Sequence, residues 1–263
     1  MNDINFLISN GIDVESGIEL LSDIETYNET LQEFLRLSNE KVENLRKYKE
    51  ANDFENYSIF AHSIKSDARY LGFIKLSEIA LNHENQSKIG NKEFIDSDFD
   101  NLVNEVNRVR TVCETYLGSA ALEEVKEEQP EQVTDPNAKA LLVVDDSEII
   151  RDFIKKSLNG SYEIIMATDG KKAIEILESA GSDRIQGMFL DLNMPKFNGF
   201  DVLDYFEQKD WFDKFPISII TGADDRESID KAFKYPIIDM LVKPFTEEDV
   251  KRIVERTVSS KRN

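Results

Sequence analysis

Proline is confined to one half of this chain. None of the first 129 residues is a proline, and all six prolines follow from Pro130 onward. A proline inside a helix removes a hydrogen bond and clashes with the preceding turn. A long stretch without one therefore leaves helices free to run. The apolar residues of that stretch recur at helical spacing: Ile18, Leu21 and Ile24; Leu31, Phe34 and Leu35; Val42 and Leu45; Phe60, Ile64 and Leu71. Helices bury such stripes by packing on one another, so residues 1–118 predict an all-α bundle.

The rhythm changes after Pro136. Short apolar runs at Ala140–Val144, Tyr162–Met166, Gly187–Leu190, Ile217–Ile220 and Ile237–Val242 predict strands. Amphipathic segments at Ile149–Leu158, Lys171–Ser179, Gly199–Gln208, Asp225–Phe233 and Glu247–Thr257 predict the helices between and after them. Five βα units in this order imply a parallel sheet with helices on both faces over residues 139–263. Between the halves, residues 119–138 are acidic, free of aromatics and hold two prolines, as an acidic flexible linker does. A linker of about 15 residues has an r.m.s. span near ~20 Å, which leaves exchange between the halves geometrically open.

Composition removes several function classes. The formal charge is −20, and an acidic excess of that size argues against nucleic-acid or anionic-membrane binding. No apolar run approaches the ~18–20 residues that span a bilayer, and the polar start is unlike a signal peptide. A single cysteine, Cys113, excludes an internal disulfide, and with only two histidines it excludes a Cys/His zinc site. A cytoplasmic location is the expectation.

In an open parallel sheet, ligands collect at the carboxyl ends of the strands. Asp145 and Asp146 follow the first predicted strand, Asp191 the third, Thr221 the fourth, and Lys243-Pro244 the fifth. Three converging carboxylates repel one another, and a divalent cation removes that conflict. An all-oxygen, hydrated site suits Mg²⁺. With a lysine and a hydroxyl opposite, the set has the parts of a phosphoryl-transfer site: metal, carboxylate nucleophile and clamps on the phosphoryl oxygens.

These residues fall within five ordered pieces: Leu-Leu-Val-Val-Asp145-Asp146-Ser, Phe-Leu-Asp191-Leu-Asn-Met-Pro195, Gly199, Ile-Ile-Thr221-Gly and Val-Lys243-Pro244-Phe. The segment resembles a response-regulator receiver domain, of the flavodoxin-like (βα)5 fold that includes the single-domain chemotaxis regulator. The resemblance implies that Asp191 is the phospho-acceptor, with Asp146 a direct Mg²⁺ ligand, Asp145 an indirect one, and the Asn193 carbonyl another. It further implies that Thr221 and Lys243 contact the phosphoryl group and that the Lys243–Pro244 bond is cis. One position departs: Met240 stands where most receivers carry an inward-turning aromatic, which puts the usual Thr–aromatic switch in doubt.

In the first half, His62 sits in Phe60-Ala-His62-Ser-Ile-Lys65-Ser66-Asp-Ala-Arg69-Tyr-Leu71-Gly72. At ~100° per residue, Lys65, Ser66 and Arg69 lie within roughly 60° of His62, while Phe60, Ile64 and Leu71 fall on the other side. The expectation is an imidazole facing solvent, with a cation one turn away to offset a phosphoryl charge. His83 lacks the lysine spacing and reads as surface or packing. Cys113 reads as a small packing residue, and Trp211 with Phe212 as cover for a sheet edge.

Residues 1–118 resemble a histidine-containing phosphotransfer (HPt) domain, a four-helix bundle. Its pattern places a lysine three residues after the histidine, glycine four after and glycine ten after. Lys65 and Gly72 match, and Ser66 replaces the first glycine. Gly11-Ile-Asp13 and the stretch Leu76-Ser-Glu-Ile-Ala-Leu-Asn-His-Glu84 also fit. The resemblance implies that His62 is phosphorylated, with Lys65 holding phosphoryl oxygens.

Together the halves predict a two-component phosphorelay protein passing phosphoryl groups between His62 and Asp191 type side chains. The partners implied are a sensor histidine kinase or other phosphohistidine donor and the receiver of another response regulator; exchange with this chain's own receiver, or two separate ports serving other proteins, fit the sequence equally well. The sequence carries no Gly-rich ATP-binding motif, so the phosphoryl group is expected from elsewhere. No basic DNA-reading helix follows the receiver, so direct transcriptional output is not expected. Two rivals share the site: a docking protein controlled by phosphorylation of Asp191, and a sink that hydrolyses the phosphoryl group without onward transfer.

Overall fold

The computed structural model describes residues 3–118, 138–158, 160–222 and 226–261. The chain divides into two units, Met1–Glu131 and Gln132–Asn263. The predicted linker, save its last residue, lies outside the described residues. Among those residues no helix is long and apolar enough to cross a membrane.

The first unit is helical throughout. Two short helices, α1 (Ile4–Ser9) and α2 (Val14–Leu21), precede four long ones: α3 (Ile24–Ala51), α4 (Phe54–Tyr70), α5 (Ile74–Lys88) and α6 (Lys92–Leu117). The four long helices pack in a closed ring, α3 on α4, α4 on α5, α5 on α6 and α6 on α3. That is the predicted bundle, with two added helices that the apolar stripes did not separate. Part of the chain's acidity has a local use. Asp3, Asp13, Asp23 and Asp53 each cap a helix, accepting from the first-turn amides of α1 to α4, where a negative charge also suits the helix dipole.

Gly72 ends the turn between α4 and α5 at φ +70°, and a Cβ there would stand 2.0 Å from the Asp13 carbonyl oxygen. The glycine matched by motif is thus required by a backbone that turns left-handed while touching the start of α2. The Asp13 amide donates to the Gly72 carbonyl at 3.0 Å, and the Tyr27 hydroxyl donates to the Leu71 carbonyl at 3.0 Å. These bonds tie the start of α2 and the first turn of α3 to the same turn.

The second unit is a five-stranded, all-parallel sheet in the order β2-β1-β3-β4-β5. Its elements are β1 (Ala140–Val144), α7 (Glu148–Ser157), β2 (Glu163–Ala167), α8 (Gly170–Glu178), β3 (Ile185–Asp191), α9 (Gly199–Lys209), β4 (Ile217–Gly222), α10 (Arg226–Ala232), β5 (Asp239–Lys243) and α11 (Glu247–Ser259). Every predicted strand and helix is present, with ends moved by a residue or two. Leu142, Val144, Met188, Leu190, Ile217 and Ile219 turn to one face and pack with Leu177, Val202, Leu203 and Phe206 of α8 and α9. Trp211 and Phe212 lie against that layer, and so does Met240. Helix α11 packs on α7 and against β3, β4 and β5.

The strand order reverses between β1 and β3. That switch point opens a crevice at their carboxyl ends, where ligands bind in open α/β sheets.

Candidate functional site

The crevice gathers the carboxylates expected there. Asp191 is the last residue of β3, and Asp145 and Asp146 follow β1. Their ligating oxygens lie within 4.8 Å of one another, with Asp145 and Asp191 buried and Asp146 partly exposed. Lys243, at the end of β5, reaches both buried carboxylates: its Nζ is 2.8 Å from Asp145 Oδ2 and 3.0 Å from Asp191 Oδ2. The Lys243–Pro244 bond is cis.

Local geometry fixes each group. The Asp145 side chain accepts from the Ser147 amide at 2.9 Å, and the Ser147 hydroxyl caps α7 through the Ile150 amide. Buried Arg151 donates from Nη1 to the Asp145 carbonyl at 2.5 Å, tying the β1–α7 turn to the first coil of the helix. The Asn193 amide donates to Asp191 Oδ1 at 3.3 Å. Gly199 begins α9 where a Cβ would stand 2.4 Å from the Asp191 carbonyl oxygen, so only glycine lets that helix approach the acid. Thr221 is buried near the end of β4, and its neighbour Gly222 pairs with Lys243 in the β4–β5 register.

The electrostatics are unbalanced. Burial pushes the Asp191 carboxyl up, to about 7; Lys243 offsets this in part, while Asp145 and Asp146 push it further. Burial alone would lower the Lys243 ammonium, yet Asp145 and Asp191 hold it well above its usual range. Three carboxylates facing one lysine leave an excess of negative charge among all-oxygen donors. The donor set fits a hard divalent cation.

The histidine of the first unit lies in a different setting. His62 is 2% exposed, which corrects the expectation of an imidazole facing solvent. The sequence wheel distinguished a polar from an apolar side of α4, but α2, α3 and α5 all pack against this helix. Both sides are therefore covered, and Lys65, Ser66 and Asp67 are buried beside His62.

Pairing makes this burial tolerable. Glu84, on α5, lies with Oε1 3.0 Å from His62 Nδ1 and Oε2 2.6 Å from Lys65 Nζ. Lys88, one turn further along α5, donates to Oε1 at 2.7 Å. Lys65 Nζ stands 3.2 Å from His62 Nδ1. Burial alone would raise the Glu84 carboxyl, but its bond to His62 and the His62, Lys65 and Lys88 charges outweigh burial and hold it well below the usual range. A second ion pair, Lys41–Asp67, joins α3 to α4 nearby.

Glu84 and Lys88 were not singled out in the sequence as site residues. Glu84 closes the Leu76–Glu84 stretch, but its bond to His62 spans 22 residues, a separation that no local pattern reveals. His83 is fully buried, so it is packing and not surface. Cys113 is likewise buried, and burial pushes its thiol up to about 12, in keeping with an inert packing residue.

The comparisons with known proteins agree with this division. Residues 141–255 match the response regulator receiver domain model, and residues 29–112 match the Hpt domain model. Chemotaxis protein CheY1 of Helicobacter pylori is 32% identical over 117 residues, 44% of this chain and 93% of that protein. Sensor histidine kinase TmoS of Ectopseudomonas mendocina is 26% identical over 196 residues, 74% of this chain, and the match spans only 19% of TmoS. The structure of Vibrio cholerae chemotaxis protein CheY4 is 26% identical and covers 46% of this chain and 98% of its own, at a TM-score of 0.41.

The chain thus belongs to the response-regulator receiver family. The same chain carries an Hpt domain, and the two domains together mark it as a two-component signalling protein.

Proposed function

We propose that the protein is a phosphorelay intermediate in which Asp191 and His62 each carry a phosphoryl group. The observation that carries this reading is the convergence of Asp145, Asp146, Asp191 and Lys243 at the switch point of the sheet. In the receiver step, an Asp191 carboxylate oxygen attacks the phosphorus of a phosphohistidine on a donor protein. The new O–P bond forms as the P–N bond breaks, and the electron pair returns to the donor's imidazole nitrogen. Lys243 and the Thr221 hydroxyl hold phosphoryl oxygens during the transfer. Asp145, Asp146, Asp191 and the Asn193 carbonyl would hold Mg²⁺, which supplies charge neutralisation to the transferring group.

In the HPt step His62 Nδ1–H donates a hydrogen bond to the ionised Glu84, which leaves the lone pair on Nε2. That nitrogen attacks the aspartyl phosphate of a partner receiver. The N–P bond forms, the acyl O–P bond breaks, and the partner's carboxylate is released while Lys65 holds the phosphoryl oxygens. Burial of His62 requires the bundle to open around Nε2 before a partner can reach it. The partners of this reading are a sensor histidine kinase or other phosphohistidine donor, the receiver of another response regulator, and this chain's own receiver.

The same burial favours a second reading, in which the bundle docks partners and only Asp191 is phosphorylated. Phosphorylation by acetyl phosphate with Mg²⁺ tests the shared core of both. On a phosphate-affinity gel the wild-type protein shifts and Asp191→Asn does not. A wild type that never shifts, or an Asp191→Asn variant that still does, contradicts the assignment.

A further inference from the structure

The first unit holds a second polar chain, buried at Tyr57 and His83 and reaching partly exposed Asp98, that the transfer chemistry does not use. His83, on α5, is 0% exposed. Its Nδ1 lies 2.8 Å from the Tyr57 hydroxyl of α4, and its Nε2 lies 3.2 Å from Asp98 Oδ2 of α6. Phe94 of α6 packs against the His83 ring edge to face, at 5.2 Å between centroids. One imidazole therefore joins three helices.

The protons of this chain follow from its ends. Burial pushes the Tyr57 phenol above its usual range, so it keeps its proton and donates to Nδ1. A carboxylate only accepts, so His83 keeps its proton on Nε2 and donates it in a hydrogen bond to Asp98. His83 is neutral, its pKa lowered by burial against the opposing pull of Asp98. His62 is arranged the other way round: the Glu84 carboxylate stands 3.0 Å from Nδ1, nearer than the Lys65 ammonium at 3.2 Å, which is itself held by Glu84 Oε2 at 2.6 Å. The two histidines consequently hold opposite tautomers.

His83 and Glu84 are consecutive on α5, about 100° apart around its axis. Whatever fixes the rotation of α5 at His83 also fixes where the Glu84 carboxylate stands. We propose that Tyr57, His83 and Asp98 are positioning residues: by gripping α5 from α4 and α6, they hold Glu84 at His62 Nδ1 and so keep Nε2 the nucleophilic nitrogen. This rests on the reading of His62 as a phosphoryl carrier. The chain acts as outer-shell partners do at metal-bound histidines, where the group behind the imidazole sets its tautomer.

The test uses the full chain labelled with ¹⁵N-histidine. With only two histidines in the sequence, its long-range ¹H–¹⁵N spectrum contains two imidazoles. The wild type is expected to show His62 protonated at Nδ1 and His83 at Nε2; the reverse pattern at His83 overturns the proposal without any variant. In Asp98→Asn and Tyr57→Phe, His62 is expected to become a mixture of both tautomers, and its phosphorylation by a phosphorylated receiver to slow by about tenfold. Asp98→Glu is expected to restore both. Folded variants in which His62 stays wholly Nδ1-protonated overturn the proposal. If the His62 tautomer follows the variants but no phosphorylated receiver labels His62 in the wild type, the positioning stands and the transfer reading falls.

Discussion

In the receiver, three carboxylates face a single lysine; in the helical unit, a single carboxylate faces two lysines and a histidine. The first arrangement leaves negative charge uncompensated in a crevice at strand ends, with Asp146 partly open to solvent. The second is closed: His62, Lys65 and Glu84 are paired across α4 and α5 and withdrawn from water, and only Lys88 reaches solvent. Two sites given the same chemistry by sequence motif therefore stand in opposite electrostatic states. An unbalanced pocket gains free energy by taking a cation and reacting. A closed network with an excess of cations has to be opened first.

The largest expected effect comes from breaking that network. Glu84→Ala leaves Lys65 buried without its carboxylate, and removing one partner of a buried pair costs ~3–5 kcal/mol. Chemical denaturation should show the loss in the helical unit, with the receiver transition unchanged. A loss below about 1 kcal/mol would mean that the network opens to water readily, and the contrast between the sites would shrink.

The receiver should respond in the opposite sense. Lys243→Met removes the only cation seen between Asp145 and Asp191 among the described residues, and so deepens the negative excess. Mg²⁺ affinity, read by calorimetry, is expected to rise about tenfold, or ~1.4 kcal/mol, although phosphorylation falls. Unchanged or weaker Mg²⁺ binding would show that the lysine does not compete for those oxygens.

A smaller effect is carried by pH. Because His83 has a lowered folded pKa, the unfolded chain binds its proton more readily than the native one. The stability tied to neutral His83 is complete above its ordinary value of about 6.5 and is lost as pH falls from there toward the folded value. The slope is at most about 1.4 kcal/mol per pH unit, and His83→Gln should flatten it. An equally steep acid limb in that variant would assign the slope to another group.

The comparison also explains what the sequence could disclose. Asp145, Asp146, Asp191 and Lys243 were legible because a parallel sheet brings strand ends together whatever the loops do, and each acid directly follows an apolar run. Lys65 was found because it is one helical turn from His62. Glu84 was not assigned a role, since its bond depends on how α5 packs against α4. The burial of His62 was misread for the same reason: a polar helical stripe is ordinarily solvated, unless partners distant in sequence neutralise it. The short helices α1 and α2 carry too few turns for a periodicity to separate them from α3.

The most direct test of the account is whether buried His62 carries a phosphoryl group. The wild-type chain and His62→Gln would each be offered phosphorylated receivers, this chain's own included, and the label assayed for acid and alkali stability. An acid-labile, alkali-stable phosphoryl group is expected on the wild type and is expected to be lost in His62→Gln. Only alkali-labile label, equal in both proteins and dependent on Asp191, would contradict it and leave the helical unit as a docking module.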